Sequence, residues 1–261
     1  MRRPKLGQVF LVDQNIIRNI IDRTDLSSSD LVVEIGCGDG ILTEALVSKV
    51  KQLTVIELDP VCIEKTRDRL GVSDDIEWIH KDVLKVDFSL LQSPLRVVAN
   101  IPYYLSSKLI QQFVRYKSCF RDMTIMVQKE FALKCIAKPG QKEYTSLSVY
   151  TQSHFDIDVL FDISKRCFQP VPKVDSTMIR LRPQHKYDLL NLPFFELIVK
   201  ASFWGKRKKI QTALLKNPFV SFDQRLKELS FIVEYGHKRA DQLSLDDYVE
   251  LYKQLEFVYH K

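Results

Sequence analysis

Apolar positions first cluster in a short, mostly apolar run at Leu31–Ile35, of the kind buried as a central parallel strand. Glycines crowd the turn that follows, and Ile41, Leu42, Ala45 and Leu46 then recur at helical spacing. LTVIEL is a strand pattern, Pro60–Leu70 a helical one with proline in its first turn, and IEWIH, LRVVANI and MTIMVQ are further strand patterns. Strands alternating with helical patterns predict βαβ units and an α/β fold with a mainly parallel sheet. Residues 146–161 and 176–181 carry period-two or β-branched runs, linked by the proline-rich CFQPVPKVDS. They are expected as late strands of the same sheet, parallel or antiparallel to it.

After Pro183 the strand signal fades. PFFELIVKASFWGKRKKIQTALLK, QRLKELSFIVEYG and SLDDYVELYKQLEFVY read as helices, and Ser244 with Asp247 three residues later predicts an N-terminal cap with an acidic first turn. The pattern divides the chain into a sheet domain, 1–185, and a small all-helical domain, 186–261. No internal repeat or low-complexity tract is present.

Apolar residues make up 45% and charged residues 28% of the 261 positions, which excludes a wholly disordered chain or a coiled coil. Lys and Arg total 39 against 33 acids, a formal charge of +6 that suits a polyanionic partner without identifying one. Cys37, Cys62, Cys119, Cys135 and Cys167 are scattered and form neither a disulfide framework nor a Cys-x-x-Cys zinc pair, so they read as small apolar fillers and no metal site is expected. The start is basic but lacks the apolar core of a signal peptide, and no apolar run reaches membrane-spanning length. A soluble, cytoplasmic protein is the expectation.

Chemistry concentrates where the predicted strands end. Glu34, Gly36, Gly38 and Gly40 form E-x-G-x-G-x-G, whose glycines let backbone approach a ligand closely, although a plain tight turn would use them too. Ile41 stands where a dinucleotide fold wants its third glycine, so a nucleoside cofactor without a pyrophosphate fits better. Glu57, with Leu58 beside it, ends the next strand, where a carboxylate can accept both hydrogens of a ribose diol. Asp82 follows the third strand and is placed to accept from an adenine amine, with Val83 as an apolar contact. NIPYYLSS follows the fourth: Asn100 offers an amide acceptor, Pro102 a rigid turn and Tyr103 an aromatic face, although N-x-P-Y could also be a helix-capping turn. His80 reads as a surface or packing residue rather than a base.

GQVFL (residues 7–11), EIGCGDG, IELD, KDVL, NIPYYLSS and FQPVPKVDS resemble, in order and spacing, the ribosomal RNA adenine dimethyltransferase family, closest to its bacterial small-subunit (16S) branch. The resemblance implies a class I S-adenosylmethionine-dependent methyltransferase, with a Rossmann-like seven-stranded sheet and a helical RNA-binding domain. It implies that Gln8 and Asn15 contact the methionine end of S-adenosylmethionine and that Gly36 lies beneath it. Asn100 and the Ile101 carbonyl would hold the target amine, with Tyr103 on one face of the base and Phe168 on the other. Two adjacent adenosines near the 3′ end of 16S RNA, in a 30S ribosomal precursor, are the implied substrate, and a monomer the implied state. Arg2, Arg3 and Lys5 form one candidate RNA patch, and Lys206, Arg207, Lys208 and Lys209, read as lying on a helix, a second. Three alternatives remain open: a large-subunit adenine methyltransferase of the antibiotic-resistance type, which usually has PKVNS where this chain has PKVDS, a non-catalytic assembly factor, and a DNA adenine methyltransferase. Tyr104 stands where many members carry a small polar residue, and lysines stand where a paired arginine is usual in the helical domain.

Overall fold

The computed structural model describes residues 9–71, 75–187, 192–205 and 207–259. A two-residue strand, β1 (Phe10–Leu11), leads into α1 (Gln14–Thr24), whose first turn is capped by Asp13, its carboxylate accepting from Asn15 N at 2.9 Å. There follow β2 (Leu31–Ile35), α2 (Ile41–Val47), β3 (Gln52–Glu57), α3 (Pro60–Leu70), β4 (Ile76–His80), β5 (Leu95–Asn100), α4 (Ser106–Arg115) and β6 (Phe120–Gln128). Then come α5 (Lys129–Ile136), α6 (Ser146–His154), β7 (Phe155–Ile163), β8 (Phe168–Gln169) and β9 (Ser176–Pro183). The remaining helices are α7 (Leu192–Ser202), α8 (Ile210–Lys216), α9 (Ser230–Tyr235) and α10 (Leu245–Tyr259).

Seven strands form one sheet in the order β4-β3-β2-β5-β6-β9-β7. The pairs β2–β3, β3–β4, β2–β5 and β5–β6 are parallel, and β6–β9 is antiparallel. The mainly parallel sheet is therefore as the periodicity predicts, and the late strand β9 takes the antiparallel alternative. The order reverses between β2 and β5, and an open α/β sheet binds its ligand beyond the carboxyl ends of the strands at such a point. One face is sealed by Ile17 and Ile20 of α1 and Leu42 and Leu46 of α2, packed in one cluster with Val32, Leu53 and Val55 of the sheet.

The chain separates into two compact units, Met1–Ala132 with Ile157–Pro183, and Leu133–Asp156 with Gln184–Lys261. The division differs from the expected one at residue 185, because residues 133–156 join the helical unit. There Tyr144 and Val149 are buried in one core with Phe195, Ile198, Tyr248 and Leu251, and Tyr144 Oη donates to Leu243 O at 2.9 Å.

The expected strand over residues 146–161 is a second correction: its first half is α6 and only its second half belongs to β7. Val149 and Thr151 carry the β-branched signal, but the hydroxyls bond as a helix allows. Thr151 Oγ1 donates to Leu147 O at 2.8 Å and Ser153 Oγ to Tyr150 O at 2.8 Å, while Ser148 Oγ accepts from Thr145 N at 2.9 Å. The predicted cap of the last helix is present, with Asp247 N donating to Ser244 Oγ at 3.1 Å and Ser244 N to Asp247 Oδ2 at 2.8 Å.

Candidate functional site

Gly36, Gly38 and Gly40 link β2 to α2, all with positive φ (81°, 56° and 81°) that L side chains rarely adopt. Close approach adds to this requirement. A Cβ on Gly40 would come within 2.7 Å of Thr66 Cγ2, and one on Gly38 within 3.1 Å of the Phe10 ring. Gly36 sits at the reversal of strand order: a Cβ there would stand 3.8 Å from Asn100 O and 4.0 Å from Glu57 Oε2, filling the space between the ends of β3 and β5.

Glu57 closes β3 with its carboxylate fixed. Its Oε1 accepts from Leu58 N at 2.7 Å and Asp59 N at 2.9 Å, and Oε2 has the Cys37 thiol at 3.8 Å. Leu58 is exposed beside it as an apolar rim, and His80 Nε2 lies 3.1 Å from Leu58 O, which gives that histidine a backbone-holding position. Asp82 caps a short turn, accepting from Leu84 N at 3.0 Å through Oδ1. Val83, expected as a contact, is buried as the floor of that turn. Glu34 is fully buried, and neither of its carboxylate oxygens has a hydrogen-bond partner. Burial, with the nearby Glu57 charge, pushes its carboxyl up to about 8 against a weaker opposing influence of Thr43.

Asn100 ends β5, half-buried, with the buried Ile101 and half-buried Pro102 and Tyr103 after it. Tyr103 Oη lies 2.7 Å from Ser176 Oγ at the start of β9. Burial holds the phenol above its ordinary value, so it stays protonated. That bond ties NIPYYLSS to FQPVPKVDS, two segments separate in sequence. Tyr104 is exposed.

The structure places other expected residues less simply. Phe168 lies in β8, which pairs antiparallel with β1 so that Leu11 stands opposite it, and only 2% of it is exposed. Its ring belongs to the core cluster with Leu11, Cys37 and Met178, so the expected base-facing surface is not presented. Asn15 is exposed on the first turn of α1. Gln8, Arg2, Arg3, Lys5 and Lys206 lie outside the described residues.

In the helical unit the described residues of the basic run are not on a helix. α7 ends at Ser202, Gly205 with a φ of 82° follows it, and Arg207 and Lys208 occupy the turn before Lys209 caps α8. Arg207 and Lys209 are exposed, whereas Lys208 folds back over the Trp204 ring, its Nζ 3.5 Å from the centroid. The structure adds a neighbour that sequence reasoning missed. The backbone of Lys209 pairs with that of Arg239 in an isolated antiparallel bridge, and Ile210 N donates to Lys238 O at 2.8 Å, which joins the run to His237, Lys238 and Arg239. That HKR triplet was visible as charge, but its pairing with residue 209 was not. Ser176, Phe10 and Thr66 were missed for the same reason, each acting across a long sequence separation. Among the described residues no cluster of metal-ligating side chains occurs, and no helix is long and apolar enough to cross a membrane.

The strand order, the glycine turn and the carboxylates at successive strand ends define a class I S-adenosylmethionine-dependent methyltransferase fold. The residues suit that cofactor: Gly36 leaves the space a side chain would fill, and Glu57 keeps one oxygen free of backbone donors. The model for the family Ribosomal RNA adenine dimethylase matches residues 1–256, and the chain belongs to that family. A relative named Ribosomal RNA small subunit methyltransferase A, from Chlorobium chlorochromatii (strain CaD3), is 35% identical over 257 residues, covering 97% of this chain and 94% of the relative. The crystal structure of a dimethyladenosine transferase from Plasmodium falciparum superposes with a TM-score of 0.84 at 25% identity, covering 95% of this chain and 98% of that one. The 23S rRNA methyltransferase ErmE superposes with a TM-score of 0.70 at 27% identity, covering 95% and 99%.

Proposed function

We propose that the protein dimethylates the exocyclic amines of two adjacent adenosines near the 3′ end of small-subunit (16S) ribosomal RNA, using S-adenosylmethionine. It acts in the cytoplasm as a monomer on a precursor of the small subunit. The observation that carries the reading is the Tyr103–Ser176 bond of 2.7 Å, which fixes the N-x-P-Y turn beside the glycine loop. The names of the relatives favour the small-subunit target over the large-subunit one.

When bound, S-adenosylmethionine supplies a sulfonium methyl that is electrophilic without activation. Glu57 would accept from its ribose, Asp82 from its adenine amine, and the backbone at Gly36 and Gly38 would lie against it, with Gln8 and Asn15 towards its methionine end. The difficulty lies with the nucleophile, because the lone pair of an adenine amine is delocalised into the ring. Asn100 Oδ1 and the Ile101 carbonyl would hold the amine hydrogens, which favours lone-pair density on nitrogen and stabilises the positive charge that grows there. Tyr103 would stack on the base and set its plane. The proton then leaves to solvent, so no histidine base is required. After one transfer a single amine hydrogen remains, and one acceptor must release its partner for the second.

A target base must leave its stack to reach such a turn, so the RNA is bound at an unpaired segment. Arg207 and Lys209, with Lys206, would take phosphates as one patch that Lys238 and Arg239 extend, and Arg2, Arg3 and Lys5 would do so as another. Replacing Lys206, Arg207 and Lys209 together by glutamine is expected to weaken RNA binding at low salt by about tenfold or more. The salt dependence should become shallower by about two to three phosphates, with cofactor affinity unchanged. Filter binding across a salt series checks this, and an unaltered slope would place the RNA elsewhere.

The deciding experiment offers purified small and large ribosomal particles, and naked RNA, with labelled cofactor, and then maps the modified nucleotides. Two neighbouring dimethylated adenosines in small-subunit RNA are expected. Label confined to large-subunit RNA would assign the protein to the antibiotic-resistance type, and no transfer with tight particle binding would make it an assembly factor.

A further inference from the structure

Glu34 is the buried acid of the glycine motif, and the proposed chemistry does not use its side chain. It stands two residues before Gly36 on β2, facing the same side of the sheet as Val32, and it is 0% exposed. Neither oxygen has a hydrogen-bond partner, and Thr43 Oγ1 in the first turn of α2 also has none. An ionised carboxylate in such a place would be desolvated with only the nearby Thr43 hydroxyl to offset the cost, and such groups hold a proton instead.

The groups around it reinforce that state. Glu57 on the neighbouring β3 adds negative charge, and it also acts on the buried Cys37 thiol, which burial pushes upward. From α3, Cys62 and Thr66 act on Cys37 rather than on Glu34, and Thr66 Oγ1 donates to Gly38 O at 3.4 Å. The nearest cation–acid pair on this loop, Lys65 Nζ with Asp39 Oδ1 at 3.7 Å, lies at the surface. Among the described residues no cation contributes to the state of Glu34.

We infer that Glu34 carries a proton in the free protein and releases it to solvent when the cationic cofactor binds. The inference rests on the cofactor reading above, because S-adenosylmethionine brings a sulfonium and an ammonium charge to a site that otherwise gathers acids. Positive charge arriving beyond Gly36 favours the ionised form of a carboxyl buried just beneath it, with Glu57 already committed to backbone donors. The proton keeps the free protein from holding a second, uncompensated negative charge beside Glu57, and its departure gives the bound site the charge that matches the ligand. Affinity for the cofactor accordingly rises with pH, by about seven- to twentyfold between pH 6 and pH 8.

Isothermal titration calorimetry with S-adenosylmethionine as the probe, in buffers of different ionisation enthalpy, counts the proton directly. At pH 7 the wild-type protein is expected to release about 0.5–0.8 proton per cofactor bound, and Glu34→Gln about none. Should that variant not fold, the wild type alone decides the matter, because its release must shrink towards zero at pH 5, where the carboxyl stays protonated in both states. Binding with no proton released at pH 7, or with the same release in Glu34→Gln, overturns the inference and leaves the cofactor reading standing. Absence of any binding overturns the cofactor reading, and the inference with it.

Discussion

Asn100→Ala is expected to lower the rate of methyl transfer by about 10²–10³-fold, the loss that follows removal of one preorganised dipole at a reacting centre. RNA affinity and cofactor affinity should change little. The expectation comes from where the chain puts the side chain. Asn100 is the last residue of β5 beside the reversal in strand order, and its backbone oxygen is 3.8 Å from the position a Gly36 Cβ would occupy. The following turn is held to β9 through Tyr103 and Ser176 at 2.7 Å. An amide in that position meets the target amine on rigid strand-end backbone, which is what an effect confined to the transition state requires. Single-turnover transfer to small-subunit particles, with RNA and cofactor binding measured separately, checks it. Asn100→Asp keeps an acceptor and should retain more activity than the alanine variant. Equal loss of RNA affinity and of transfer in Asn100→Ala would indicate a mainly binding role for this turn.

Much of this site was legible because its chemistry lies within a few residues of each strand end. A glycine-rich turn after a buried strand, and Glu57, Asp82 and Asn100 after the next three, follow from local pattern and the rule that open parallel sheets bind ligands at those ends. What the sequence concealed depends on contacts between distant residues. Phe168 has the composition of a base-stacking residue, but pairing with Leu11 turns it into the core. Gly38 reads as a loop glycine, yet its lack of a side chain also makes room for Phe10. The basic run reads as helical, but α7 stops at Ser202 and Gly205, at a φ of 82°, turns the chain before the run. Residues 146–154 read as a strand because β-branching is a weak prior, which the buried hydroxyls of Thr151 and Ser153 override by bonding within a helix.

The second large effect concerns stability, at the end of the sheet away from the site, and it involves a residue with no sequence signal. Arg96 on β5 is 3% exposed, and its guanidinium serves four partners. It pairs with Asp30 Oδ2 at 2.9 Å and Asp122 Oδ2 at 3.0 Å, and it donates to Thr24 O at 2.6 Å and Asp25 O at 2.9 Å. The last two are carbonyls at the end of α1, where Asp25 takes a left-handed φ of 51°. One buried side chain thus satisfies a helix terminus and two acids from different segments. Arg96→Met keeps the length of the side chain but leaves Asp122 without its cation and Asp30 with only the exposed Arg121, 3.3 Å away, and it should cost about 3–5 kcal/mol, the usual effect of breaking a buried pair from one side. Adding Asp30→Asn and Asp122→Asn should recover part of the loss, because it is the uncompensated charges that are expensive. The pH dependence has a definite sign. Burial alone would raise the Asp30 carboxyl, but the Ser27 amide and the Arg96 guanidinium hold it below its ordinary value of 3.8. A lowered acid stabilises the fold above that ordinary value and loses its contribution as pH falls through the folded one. The gap between wild type and Arg96→Met in urea unfolding should accordingly be full at pH 7 and narrow below about pH 4. A loss under about 1 kcal/mol at pH 7 would mean that solvent reaches this network and screens it.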